Sequence, residues 1–199
     1  MATHEPAARP RLHLGPWDHG RAVSDDEFAD ADYEPPWRYE LGNGRLVVMS
    51  PHGEAHDDAT EPWRNYLGAY KLAHRDRIEK VVAEAWVQVG PGKQRIGDVG
   101  VYLVGERSSR RRPARAPEIM IEVVSPGLDS HERDFVEKRA EYSEIKVLEY
   151  VLVDYLGDRV IVLSHAPGGY TERVLTVADT YTTPLLPGLA IPLAEVFTR

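Results

Sequence analysis

Apolar positions along the chain recur in two periods, and each period predicts its own elements. Val81, Ala83, Ala85, Val87 and Val89 occupy every second position, the period of a strand with one buried face. IGDVGVYLV at 96–104 predicts a further strand. EIMIEVV at 118–124 is a nearly unbroken apolar run carrying one glutamate, the pattern of a central strand buried on both faces, and VLEYVLVD at 147–154 repeats it. RVIVLSH and GYTERVLTV read as a hairpin joined through Ala166-Pro167-Gly168-Gly169.

The spacing becomes helical between 54 and 75, where Trp63, Tyr66, Leu67, Tyr70 and Leu72 define one apolar face. Pro62 suits that helix only if its main body begins nearby, because proline has no N–H for the helical ladder. The charged segment 129–144 predicts a second helix. Ser24 followed by Glu27 forms a capping box that starts a short helix over about 25–31. Gly42-Asn43-Gly44, between the strand-like halves of YELGNGRLVVMS, predicts a tight hairpin, since these residues accept positive φ. The proline-rich end, TTPLLPGLAIPLAEVFTR, predicts an irregular wrap over the core and a last helical turn. The sum is an α/β domain with a mixed sheet and a strand-helix-strand unit at its centre. Residues 1–23 read as a loosely ordered leader and 24–199 as a single domain.

The 199 residues, 42% hydrophobic and 28% charged, are enough for one domain with a sizeable core. No apolar run approaches the roughly 18 residues that cross a bilayer, and the first 20 residues lack the apolar stretch of a secretory signal, so a cytoplasmic protein without membrane contact is expected. Cysteine is absent, which removes disulfides, thiolate metal sites and cysteine nucleophiles together. A metal would have to sit on oxygen or imidazole. The net charge of −8 argues against a broad nucleic-acid-coating surface. Residues 1–60 hold 12 acids and 5 bases, whereas 61–199 hold 20 acids and 19 bases, so the excess is N-terminal. One basic cluster, Arg107, Arg110, Arg111, Arg112 and Arg115, lies in an aperiodic segment with two prolines. It reads as an exposed loop, with Arg110, Arg111 and Arg112 as candidate nucleic-acid contacts and solvated loop surface as the plainer reading.

Burying an unpaired carboxylate costs several kcal/mol, so an acid inside a central strand calls for a cation, a metal or strong hydrogen bonds. Glu122 is such an acid, and Asp98, between apolar neighbours in the preceding strand, is a second. Two acids converging at strand ends suit Mg2+ or Mn2+. Asp134, Lys138 and Tyr142 follow at four-residue intervals on one helix face that can return toward those ends. Singly, each has an ordinary alternative: Asp98 capping a turn, Glu122 pairing with an arginine, Asp134 and Lys138 forming a surface ion pair. A Ser-His-Asp hydrolase finds no G-x-S-x-G nucleophile elbow.

With these residues assembled, the chain from Tyr39 onward, about four-fifths of its length, resembles the Uma-two family of restriction endonucleases within the PD-(D/E)XK nuclease superfamily. The resemblance rests on YELGNGRLVVMSPHGEAH, RIGDVGVYLV, PEIMIEVVSPGLDSHERDFVEKRAEYSEIKVLEYVLVD and PLLPGLAIPLAEVF. It implies a restriction-endonuclease-like fold, a mixed sheet flanked by helices with an N-terminal and a C-terminal hairpin. It implies metal-assisted phosphodiester hydrolysis, with Asp98, Glu122 and Lys138 as catalytic residues. Asp98 matches the aspartate of PD and Glu122 the acid of (D/E)XK. Val124 stands where the superfamily's lysine usually lies, and Lys138, on the next helix, takes that place. By the same resemblance Asp98, Glu122 and the backbone carbonyl of Val123 hold Mg2+ or Mn2+, and Lys138 positions the attacking water. Glu40 completes the shell or holds a second ion, and His56, Asp134 and Tyr142 support the site. Gly97 departs from the family's proline.

The partner implied is nucleic acid, DNA foremost, and a homodimer is expected. The competing class is a catalytically inactive nucleic-acid-binding or regulatory module that keeps the nuclease fold, favoured by the acidic charge.

Overall fold

A computed structural model describes residues 11–105 and 115–197. The chain divides into two compact units, Met1–Pro51 with Pro91–Lys93, and His52–Gly90 with Gln94–Arg199.

The first unit contains β1 (His13–Leu14), a 3-10 turn (Pro16–Asp18), α1 (Asp25–Asp30), β2 (Asp32–Tyr33), β3 (Arg38–Gly42) and β4 (Arg45–Met49). The expected capping box starts α1: Glu27 N–H donates to Ser24 Oγ (3.3 Å), and Ser24 N–H donates to Glu27 Oε2 (2.9 Å). β3 and β4 form the expected antiparallel hairpin, turned by Asn43 at φ 51° and Gly44 at φ 72°. The described part of the expected leader is instead packed: Leu14 and Val23 are buried with Phe28, Tyr39, Leu41 and Leu46, and β1 runs parallel to β2. These two apolar residues, spaced too irregularly to show a period, supply the burial that holds 11–23 in place.

The second unit begins with α2 (Glu54–Ala73), β5 (Ile78–Gly90) and β6 (Lys93–Leu103), then β7 (Ile119–Val123). One helical stretch follows, made of α3 (Leu128–Glu132), a π turn (Arg133–Glu137) and α4 (Lys138–Glu144). β8 (Glu149–Asp154), β9 (Arg159–Ala166), β10 (Gly169–Thr176), β11 (Thr180–Tyr181), β12 (Ile191–Pro192) and α5 (Leu193–Val196) complete it. The strand order is β10-β9-β8-β7-β6, with β5 also paired to β6. β7 and β8 are parallel, whereas β6–β7, β8–β9 and β9–β10 are antiparallel, so the sheet is mixed.

Helices cover both faces. Ile119, Ile121 and Val123 pack with Trp63 and Leu67 of α2. The alternate residue Met120 packs with Tyr142 of α4 and with Tyr150 and Leu152 of β8, as the two-residue period of a strand demands. Glu122, two residues beyond Met120, therefore lies on the α4 face.

Two local expectations differ. Pro62 sits well inside α2, which starts at Glu54, and the burial of Ala59, Trp63 and Leu67 on either side of it offsets the missing hydrogen bond. In β5 the alternation holds only over Ala85, Val87 and Val89; Ala83 is exposed because Glu84, at φ 50°, breaks the strand's period. Among the described residues no helix is long and apolar enough to cross a membrane.

Candidate functional site

Residues from four segments of the second unit meet at one end of its sheet. His52 precedes Gly53, the N-cap of α2, and His56 lies in the first turn. His56 Nε2 stands 3.1 Å from Asp98 Oδ2, and His52 Nε2 stands 3.5 Å from Asp98 Oδ1, so the two imidazoles meet the two oxygens of one carboxylate. The rings themselves lie 3.5 Å apart between centroids, tilted by 33°. Asp98, only 5% exposed, also accepts the Val123 N–H at 2.8 Å. That bond spans β6 and β7 and ties the first acid to the backbone beside the second.

Glu122 meets a different set of partners. Lys138 Nζ donates to its Oε1 at 2.7 Å and to the Ile96 carbonyl at 3.0 Å, and lies 3.5 Å from Asp134 Oδ1. Tyr142 Oη donates to the same Glu122 oxygen at 3.3 Å. All of these side chains are buried. Burial pushes the Glu122 carboxyl well above its ordinary range, and the nearby Asp98 and Asp134 charges push the same way against the opposing Lys138 ammonium. A dication placed there would reverse that direction.

The π turn helps to aim Lys138, whose backbone N–H bonds to the Arg133 carbonyl five residues back. Buried Arg95 of β6 grips α4 through Glu141 with bonds of 2.7 and 3.0 Å, and reaches Glu137 at 2.8 Å. This clamp holds the helix against the strand that carries Asp98.

Of the residues expected at the site, Asp98, Glu122, Val123, His56, Asp134, Lys138 and Tyr142 come together. Glu40 is fully buried on β3 in the first unit, opposite Val47. Arg110, Arg111 and Arg112 lie outside the described residues. Arg115 is engaged within the fold: its Nη2 donates to the Leu103 carbonyl (2.8 Å) and to Glu118 (3.1 Å). His52 and Arg95 escaped the sequence reading. The H-x3-H spacing within HGEAH, one helical turn, was the available signal for His52; Arg95 has none, because its partners lie 42 and 46 residues away.

Gly97 also acquires a reason. A Cβ at Gly97 would fall 1.9 Å from the Met120 sulfur, so the methionine fills the space a proline ring would need.

A family model described as "Putative restriction endonuclease", Uma2, matches residues 25–194. The chain belongs to the Uma-two family. No curated protein matches it. A solved structure described as a putative nuclease of DUF820 from Anabaena variabilis superposes with a TM-score of 0.71 at 16% identity, covering 88% of this chain and 97% of that one. At that identity the likeness concerns the fold, and it agrees with the mixed sheet flanked by helices described above. For an Uma-two chain the donor set is informative. The ligand atoms of half-buried His52 and of buried His56 and Asp98 all lie within 4.8 Å of one another, and oxygen and imidazole donors so gathered fit a divalent cation.

Proposed function

We propose that this Uma-two protein is a metal-dependent nuclease that hydrolyses phosphodiester bonds, with DNA as its substrate. The observation that carries the reading is the meeting of Asp98, Glu122 and Lys138, from β6, β7 and α4, in one buried cluster. Family membership and the fold of the Anabaena variabilis protein support it.

Asp98 and Glu122 would hold Mg2+ or Mn2+. The Val123 carbonyl would join them, since the N–H and C=O of an extended residue face the same neighbouring strand and the Val123 N–H already meets Asp98. A bound dication supplies charge for the phosphate oxygens and acidifies water at neutral pH. The chain's own groups do the rest. Lys138, held by Glu122 and the Ile96 carbonyl, positions the attacking water and offsets negative charge gathering on the phosphate. Asp134 and Tyr142 keep the ammonium and Glu122 in register. In hydrolysis the water oxygen bonds to phosphorus, the bond to one ester oxygen breaks, and that oxygen leaves with a proton.

Cleavage of single- and double-stranded DNA and RNA, with and without Mg2+ or Mn2+, tests this. Asp98→Asn, Glu122→Gln and Lys138→Ala should each lower divalent-dependent cleavage by about 100-fold or more, with the fold verified by circular dichroism. Unchanged cleavage in the three variants overturns the assignment. No cleavage by the folded wild type in any of these conditions overturns the nuclease reading and leaves a non-catalytic module.

A further inference from the structure

We infer that His52 and His56 join Asp98 as direct ligands, making a mixed imidazole and carboxylate site that takes a transition-metal dication in preference to Mg2+. This deepens the nuclease reading and shares Asp98 with it.

The argument begins at Thr60, one turn beyond His56 on α2. Thr60 Oγ1 donates its proton to the His56 carbonyl (2.7 Å), so it offers a lone pair to His56 Nδ1 at 3.4 Å. A hydrogen bond from Nδ1–H to that oxygen fits this geometry, the arrangement that fixes the tautomer of a metal-binding histidine. In that tautomer Nε2 turns its lone pair toward Asp98 Oδ2, 3.1 Å away. Two electron-rich atoms that close, with both side chains buried, make a place for a cation.

A second ring proton could serve His56 alone. His52, however, presents Nε2 to the other oxygen of the same carboxylate, with its ring 3.5 Å from that of His56. Two imidazolium rings that close repel, whereas one dication meets both rings and the carboxylate. Glu122 differs in having an ammonium beside it, although Lys138 offsets only one of the carboxylate charges gathered there.

Metal choice follows from the donors. Mg2+ prefers oxygen and holds its waters, while imidazole suits Mn2+, Fe2+, Co2+ and Zn2+ increasingly well. With no cysteine in the chain, these rings are the softest donors of the site.

The test uses the full-length protein stripped with a chelator. Calorimetry with Mg2+, Mn2+ and Zn2+ and the absorption spectrum of added Co2+ are recorded for wild type, His52→Ala, His56→Gln and Glu122→Gln, followed by cleavage assays on the same preparations. Wild type should bind Zn2+ and Co2+ more tightly than Mg2+, and each histidine variant should lose at least the roughly 10- to 100-fold in affinity that removing a partner of a ligand costs. Nitrogen-15 spectra of the wild-type imidazoles read the same ligation without substitution: Zn2+ should shift Nε2 of both rings. Equal affinity for Mg2+ and Zn2+, unmoved Nε2 resonances, or histidine variants that bind as wild type overturns the inference. If cleavage nonetheless proceeds with Mg2+, the nuclease reading stands alone. Transition-metal binding as expected with no cleavage of any substrate keeps the site and removes the nuclease.

Discussion

Glu122 and Glu149 pose the same problem in adjacent parallel strands and meet opposite solutions. Each interrupts an apolar run in a central strand, and each is buried. Glu149, at the start of β8, is met by neutral hydroxyls: Tyr181 Oη donates to one oxygen and Thr183 Oγ1 to the other at 3.2 Å. Glu122 pairs in register with Leu152, further along the strands. There it shares its surroundings with an ammonium, two other carboxylates and, through Asp98, two imidazoles. A buried carboxylate is therefore not a site by itself. Hydroxyl donors let Glu149 pin the C-terminal wrap, whereas a crowd of like charges around Glu122 leaves the folded chain short of positive charge, a deficit a dication relieves.

The largest test of this contrast is catalytic. Glu122→Gln should lower cleavage by about 100-fold or more, while Glu149→Gln leaves the rate per folded molecule unchanged. Equal losses in the two variants would collapse the distinction. Stability should invert the order. Glu149→Gln weakens bonds from two hydroxyls and should lower unfolding free energy by about 1–3 kcal/mol, measured by urea titration. Glu122→Gln in the metal-free protein should match or exceed wild type, because it removes a charge that Asp98 and Asp134 oppose while Asp134 still pairs with the Lys138 ammonium.

Burial raises both carboxyls in the folded state, so the folded chain holds protons that the unfolded chain releases. Stability contributed in this way is full below the ordinary glutamate pKa of about 4.3 and is lost as pH rises through the folded values. The melting temperature of the metal-free protein should fall with rising pH across that window. Each glutamine variant should flatten the slope, and added divalent cation should restore neutral-pH stability in wild type and Glu149→Gln but not in Asp98→Asn. A slope unaffected by either variant breaks the comparison. A smaller effect concerns the strand beside the site: Gly97→Ala should lose about 1–3 kcal/mol, and Met120→Ala in the same chain should recover part of it, since the clash is with the methionine side chain.

Much of the fold was legible residue by residue. The capping box of Ser24 and Glu27, the turn at Asn43-Gly44, the alternation of Ala85, Val87 and Val89 in β5 and the unbroken apolar run of β7 act over a few positions, where local pattern alone carries the signal. Glu84 at positive φ, Pro62 inside α2 and the π turn at Arg133–Glu137 were not legible, because each departs from the conformation its residue types locally prefer. Within the site, Asp98, Glu122 and Lys138 announced themselves as charges in apolar or periodic surroundings. His52 and Arg95 stood among ordinary polar neighbours.

By itself the sequence determined the mixed α/β class, the Uma-two resemblance and the acids that burial would make expensive. Only the tertiary structure decided their company. His56 reaches Asp98 across 42 residues and Lys138 reaches Glu122 across 16. Such meetings depend on how strands register and how a helix is clamped, and the free energy that selects them comes from the whole core rather than from the residues that meet.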